Sequence, residues 1–404
     1  VWFRWIAFAA FAATTGAASF ARYASFHSRS LDMAYYVRLV WGLGHGHVDN
    51  PVVGATNLLG LHLEPILVPL ALLGRLVPVP HLLLAAQALG AAAAIFPAHA
   101  LARRHLPPLA AAAAATTIYL MPTVSRCVDY DFHPSTIAIW PLLAVAEAVD
   151  ARAWRRAAAW GAFALAFRED VGLQLAFLAL PGLGKDRRPA AAFVAVGLAW
   201  FLGYALLVQP HWLPEHGSFE AHFARFGGGA GGVAGIVGRA LAHPAALVEG
   251  DRLAYLPLLL LPVAFLPLAA PGLLLGAVPI VAINLLSGFP NVRTLQAHYA
   301  TATAPFIVAA AIVGAGRLRR AWPLLVGAAA IAWWLRGLSP GSPEWNTGNY
   351  RDDADAVRAR ALVATVPPEA SVVAPPRILA HLAERPVAVA PGYARGPIDV
   401  DLTP

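Results

Sequence analysis

Four separated stretches of this chain carry acids, arginines and histidines suited to proton transfer and anion binding. The stretch after residue 30 holds Asp32, Arg38, His62 and Glu64, with His45, His47 and Asp49 between them. SRCVDYDFHP holds Arg126, Asp129, Asp131 and His133. FREDVG holds Arg168, Glu169 and Asp170, and NVRTLQAHYA holds Arg293, Gln296, His298 and Tyr299. A carboxylate placed against a hydroxyl takes its proton as that oxygen attacks. Arginine binds phosphate or carboxylate through forked donors. Acids such as Asp32, Asp129 and Asp131 also fit a divalent cation of the Mg or Mn kind.

Each feature also has a plainer reading. Asp32 follows Ser30 at a helix start, where an acid favours the helix dipole whatever its function. His133 precedes Pro134 and can simply pack there. His298 and Tyr299 can anchor an interface. Three charges in Arg168-Glu169-Asp170 lie between two apolar stretches and are costly in lipid, so they must face water, one another or a ligand. His45-Gly-His47 reads as a loop, and no strong zinc spacing occurs. No Walker loop, dinucleotide fingerprint or nucleophile elbow is present, which removes ATP-driven pumping within this chain.

The elements that position these groups follow from composition. Of 404 residues, 59% are hydrophobic and 13% charged, against about 25% charged in a soluble domain. So apolar a chain needs a lipid-facing exterior. The net charge of +7 comes from short clusters between apolar runs, which membrane topology explains better than a nucleic-acid surface. Cys127, the single cysteine, excludes an internal disulfide or a cysteine metal site. Residues 1–20 read as a retained first span and not as a cleaved signal peptide.

Candidate spans are 2–21, 81–102, 107–124, 134–150, 156–168, 170–184, 189–209, 253–268, 271–288, 299–316 and 321–337, about eleven helices in all. With Arg4 inside, threading them puts Arg103-Arg104, Arg152 with Arg155-Arg156, Lys185 with Arg187-Arg188, and Arg317 with Arg319-Arg320 in cytoplasmic loops. One more span at 62–78 would invert all four clusters, so that segment and 31–43 read as interfacial or re-entrant helices on the outer face. The expected fold is an all-α polytopic membrane domain over 1–337, with outer segments 22–80 and 210–252. The second of these contains a flexible glycine run at 227–232. Residues 338–404 read as an extracytoplasmic α/β segment that stops before such a unit is complete.

In order along the chain, LDMAYY, WGLGHG, GLHLEPIL, LARRHL, DYDFHPSTIA, REDVG, NLLSG and AHYATATAPF resemble the bacterial membrane proteins catalogued as domain of unknown function 2079. PPEASVVAPPRILAHLAERPVAV resembles that family's C-terminal segment. The family usually has a small polar residue at Glu64 and lysine at Arg168. It is similar in turn to the C-type glycosyltransferases (GT-C), with an essential acid early in the first outer loop and helices along the membrane. That resemblance implies a polyprenyl-phosphate sugar donor, a glycan, lipid or protein acceptor, and a multi-pass protein of the bacterial inner membrane. The threading of the basic clusters puts the N-terminus inside and the C-terminus outside. Asp32 would be the base, with Asp131 or Asp129 assisting or holding a metal. Arg38, His62, Glu64, Arg126, His133, Arg168, Glu169, Asp170, His298 and Tyr299 would contact substrate. A transporter or lipid flippase is the rival reading, because charges at helix breaks also mark substrate paths. A non-catalytic assembly protein is a third, and it expects Asp32 and Asp131 to lie far apart.

Overall fold

The computed structural model describes residues 2–28, 30–212, 223, 232–338, 340–394 and 397–403. Most of the glycine run at 227–232 lies outside the described residues. The apolar stretches form helices, as a chain in lipid must to satisfy its own backbone. Among the described residues three helices, Val79–His105, Arg187–Trp212 and Pro290–Arg317, are long and apolar enough to cross a membrane. The pair Pro108–Leu120 and Pro122–Val128, bent by 59°, makes a fourth if it is one broken span. Shorter apolar helices cover Val171–Gly184, Arg252–Val263, Pro271–Leu286 and Trp322–Arg336.

Prolines account for much of the shortening, since each removes a backbone donor and crowds the preceding turn. The expected span 253–268 is helical over Arg252–Leu260 and then breaks into short turns, with Ala264 and Phe265 left-handed at φ 52° and 57°. Pro262 and Pro267 flank that break.

Helix α1 (Trp2–Ala24) packs on α4 (Val79–Ala93), and α4 packs on the helix Pro134–Asp150. That helix in turn meets Ala304–Arg317 and Trp154–Leu165. The apolar window of Pro290–Arg317 is 83% buried and that of Arg187–Trp212 only 11%, so the first is central and the second lies on the outside. Between α1 and α4 the chain forms α2 (Leu31–Gly44), short turns, and α3 (Leu67–Leu73), which packs on α2.

The two ends of the bundle differ in chemistry. Helix Pro134–Asp150 starts beside His133 and ends at Asp150, about 25 Å away at 1.5 Å per residue. At the Asp150 end, Arg104 pairs with Asp150 at 2.8 Å and with Glu147, and Arg156 pairs with Glu147 at 2.8 Å. Arg152, Lys185 and Arg317 line one cavity with Asp150. Members of all four basic clusters therefore gather at the end opposite His133.

Beyond residue 340 the chain forms helix Ala354–Thr365 and three two-residue strands: β1 (Val372–Val373), β2 (Ala388–Val389) and β3 (Val400–Asp401). The strands are parallel in the order β2-β1-β3, with Val372 opposite Ala388 and Val400. This segment lies on the region around α2. The Ala390 amide donates to the Val52 carbonyl at 3.1 Å, and the His381 ring stacks on Phe26 and Tyr23 at 3.8 and 4.1 Å between centroids.

Candidate active site

Asp32 sits in the first turn of α2. Ser30 caps that turn: its Oγ accepts from the Asp32 amide at 3.1 Å and donates to Asp32 Oδ2 at 2.8 Å. The helix start thus supplies both a local reason for the acid and a fixed orientation for it. Its carboxylate remains about a third open, at 38% exposure.

The DYDFHP segment is brought to Asp32 by a clamp from α4. Gln87, buried in an otherwise apolar run, donates from Nε2 to the Cys127 carbonyl at 2.9 Å and to the Asp131 carbonyl. Its Oε1 accepts from the His133 amide at 2.8 Å. Asp131 adopts a left-handed φ of 59°, which turns the chain between Tyr130 and His133. Tyr130 Oη donates to the Thr123 carbonyl at 2.7 Å and shares a 2.9 Å hydrogen bond with Thr301 Oγ1. That second bond ties this loop to the segment after residue 297.

The consequence is a compact cluster. His133 and His298 stack with ring centroids 3.6 Å apart. His133 Nε2 lies 3.6 Å from Asp32 Oδ2. Ligand-capable atoms of Asp32, His133 and His298 all lie within 4.8 Å of one another. Burial pushes the His133 imidazole down to about 4, and the Arg168 charge adds to this against the pull of Asp32. Tyr299 packs its ring beside His298 at 4.0 Å.

A second cluster adjoins the first. Tyr36 on α2 sets its ring edge-on to Phe132 and His133 and donates from Oη to Glu64 Oε1 at 3.1 Å. Burial pushes the Glu64 carboxyl up to about 7, against the opposing charges of His62 and Arg168. Glu169 reaches back to the connection between α2 and α3, meeting His62 Nδ1 at 3.0 Å and accepting from the Leu63 amide at 3.0 Å. Against burial, His62 and Arg168 hold the Glu169 carboxylate well below the usual range. Arg168 Nε lies 3.2 Å from Asp170 and 3.7 Å from Glu169.

Three residues named from sequence take other positions. Asp129 pairs with Arg22 at 3.0 Å and Arg126 at 2.5 Å. Arg126 also donates to the Arg336 carbonyl at 3.2 Å. Arg38 is buried and donates twice to the Pro386 carbonyl, at 3.1 and 2.9 Å, with Asp49 at 3.4 Å. These contacts fasten the molecule together. Asp131 stands just behind the cluster, where its Oδ1 accepts from Ser28 Oγ at 2.9 Å and burial raises its carboxyl to about 7. Sequence reasoning missed Gln87, Tyr36, Ser28 and Arg22. Gln87 had a signal, being a lone amide in the run HLLLAAQALG.

The arrangement offers a partly open carboxylate beside two imidazoles, with an arginine and further acids in the next layer. Such a set can hold a hydroxyl or a cation and place positive charge near an anion. The chain belongs to the family described as "Predicted membrane protein (DUF2079)", whose model matches residues 22–400. No curated protein and no solved structure matches it significantly.

Proposed function

We propose that this family member is an integral membrane glycosyltransferase that moves a sugar from a polyprenyl-phosphate lipid to an acceptor on the extracytoplasmic face. The observation that carries the reading is the convergence of Asp32, His133 and His298, with Arg168 in the adjoining layer, at the end of the bundle opposite the basic clusters. The positive-inside rule makes the basic end cytoplasmic. Eleven spans in the inner membrane, with the N-terminus inside and residues 338–404 outside, agree with that sidedness.

The chemistry follows from the groups present. The acceptor hydroxyl oxygen attacks the anomeric carbon, and the Asp32 carboxylate takes its proton. The bond from that carbon to the phosphate oxygen breaks, its electron pair leaving with the phosphate. Arg168, shared with Asp170 and Glu169, is the cation of the adjoining layer that would turn a guanidinium face toward that charge. Tyr36, Tyr299 and the histidines give flat surfaces on which a sugar ring can rest. Helices α2 and α3 form the wall along which a prenyl tail would lie.

The test is transfer from radiolabelled polyprenyl-phosphate hexoses and pentoses in membranes that contain the chain. Asp32→Asn, expressed at the wild-type level, is expected to lose activity at least a hundredfold. Undiminished turnover removes Asp32 as the base. Reporter fusions at Asp49 and Lys185 should report opposite faces, and the same face for both ends the proposal.

A further inference from the structure

The distance between Asp32 and His133 is informative in itself. At 3.6 Å between Oδ2 and Nε2 the pair is too far apart for a hydrogen bond. It is close to the roughly 3.4 Å that separates two ligands each about 2.0–2.1 Å from a tetrahedral ion. His298 completes a set of three whose donor atoms lie within 4.8 Å of one another, and the two stacked rings need only turn about their side-chain bonds for both lone pairs to meet one ion. We infer that Asp32, His133 and His298 form a binding site for a transition-metal dication, with zinc the best match.

Three features support this. The ligands come from three separate segments, and each is held by contacts other than those within the cluster: Ser30 orients Asp32, Gln87 holds the His133 backbone, and Tyr130 with Thr301 joins the His133 loop to the His298 segment. The positive charge in the next layer is already countered, since Arg168 lies 3.2 Å from Asp170 and 3.7 Å from Glu169. The negative charge of Asp32 is therefore left for a cation. Finally, the donor set decides the ion. Magnesium and calcium select all-oxygen surroundings, whereas two imidazoles with one carboxylate suit zinc and its first-row neighbours.

An all-carboxylate site built from Asp32, Asp129 and Asp131 is not assembled. Asp129 is taken by Arg22 and Arg126, and Asp131 accepts from Ser28. Three protein ligands leave a coordination position open, as in catalytic zinc sites. The inference is tested apart from the glycosyl-transfer reading, because its readout is occupancy and not turnover; a zinc on Asp32 Oδ2 leaves Oδ1 as the oxygen that would take a proton.

The experiment is metal analysis of the full chain purified in detergent without chelator, followed by chelator stripping and titration with zinc alone. About one zinc per chain is expected, with excess magnesium failing to displace it. His298→Ala should weaken zinc binding at least tenfold, while His45→Ala, on the exposed His45, should not. Where His298→Ala loses its monodisperse elution, Asp32→Asn replaces it, since the isosteric amide keeps an oxygen for Ser30. Equal zinc uptake by wild type and either folded variant overturns the site, as does a stripped wild type that takes up no zinc. Zinc binding without sugar transfer would leave this inference intact and count against the proposed activity alone.

Discussion

Replacing Glu64 with glutamine should stabilise the folded chain above neutral pH and leave it unchanged in acid. Glu64 is 3% exposed and accepts a hydrogen bond from Tyr36 Oη at 3.1 Å. Burial raises its carboxyl from 4.5 to about 7. Between those two values the folded chain keeps a proton that the unfolded chain has released, so stability falls as pH rises through this window. At about 1.4 kcal/mol for each pH unit of separation, the loss approaches roughly 3 kcal/mol by pH 8. Glutamine keeps an oxygen for Tyr36 and has no proton to lose. Wild type and Glu64→Gln, melted in detergent from pH 4 to pH 8, should nearly coincide at pH 4, separate between there and about pH 7, and stay apart above it. The glutamine variant should end several degrees higher. A variant less stable than wild type at pH 8, or a gap that ignores pH, would refute the reasoning. The first result would mean that Glu64 is ionised in the folded chain and paired productively with Arg168, and the second that its carboxyl titrates alike in the folded and unfolded chain.

Two further outcomes follow from packing and charge. A side chain at Gly197 would place its Cβ 2.2 Å from the Gly172 carbonyl oxygen, so Gly197→Leu must part the two helices that cross there. It should cost about 1–3 kcal/mol or more, read as a lower melting temperature and a smaller monodisperse fraction. Asp129→Ala leaves Arg22 and Arg126, 7% and 9% exposed, without their shared partner, a loss of about 3–5 kcal/mol. Adding Arg22→Met should recover part of that stability in a double-mutant comparison of melting temperatures, and no recovery would place the cost elsewhere.

How much of this was legible in the residues depends on which force sets each feature. The kind of chemistry was legible, because charges beside apolar runs are costly wherever they fall. REDVG announced itself in that way. Its partners did not, since Glu169 meets His62 and the Leu63 amide across more than a hundred positions, and no local pattern encodes that pairing. The spacing Asp129-Tyr130-Asp131 invites the reading of two acids acting together. The backbone separates them: a short helical turn at Arg126–Val128 aims Asp129 at Arg22, and the left-handed Asp131 turns its carboxyl toward Ser28. Hydropathy likewise counts apolar residues without asking whether their backbone can stay helical. It therefore reads 253–268 as one span, where Pro262 and Pro267 flank a break at Ala264 and Phe265.

Arg38 shows why site residues are harder to read than elements. By sequence it stands six residues after Asp32, on the same short helix and among aromatics, where an anion contact is a natural reading. Six positions along an α-helix amount to about 600°, so the two side chains leave the axis in directions about 120° apart. Asp32 faces His133 while Arg38 faces Pro386 and Asp49. The same helix therefore does two jobs. One side supplies a carboxylate to the cluster, and the other binds the segment after residue 340. Docking of that segment offsets much of the cost of burying Arg38, because two of its hydrogen bonds end on the Pro386 carbonyl, with Asp49 as the further partner. The helix that carries Asp32 is thereby also held by a segment more than three hundred residues away. That contact arises from the folded arrangement alone and cannot be found in spacing, composition or periodicity.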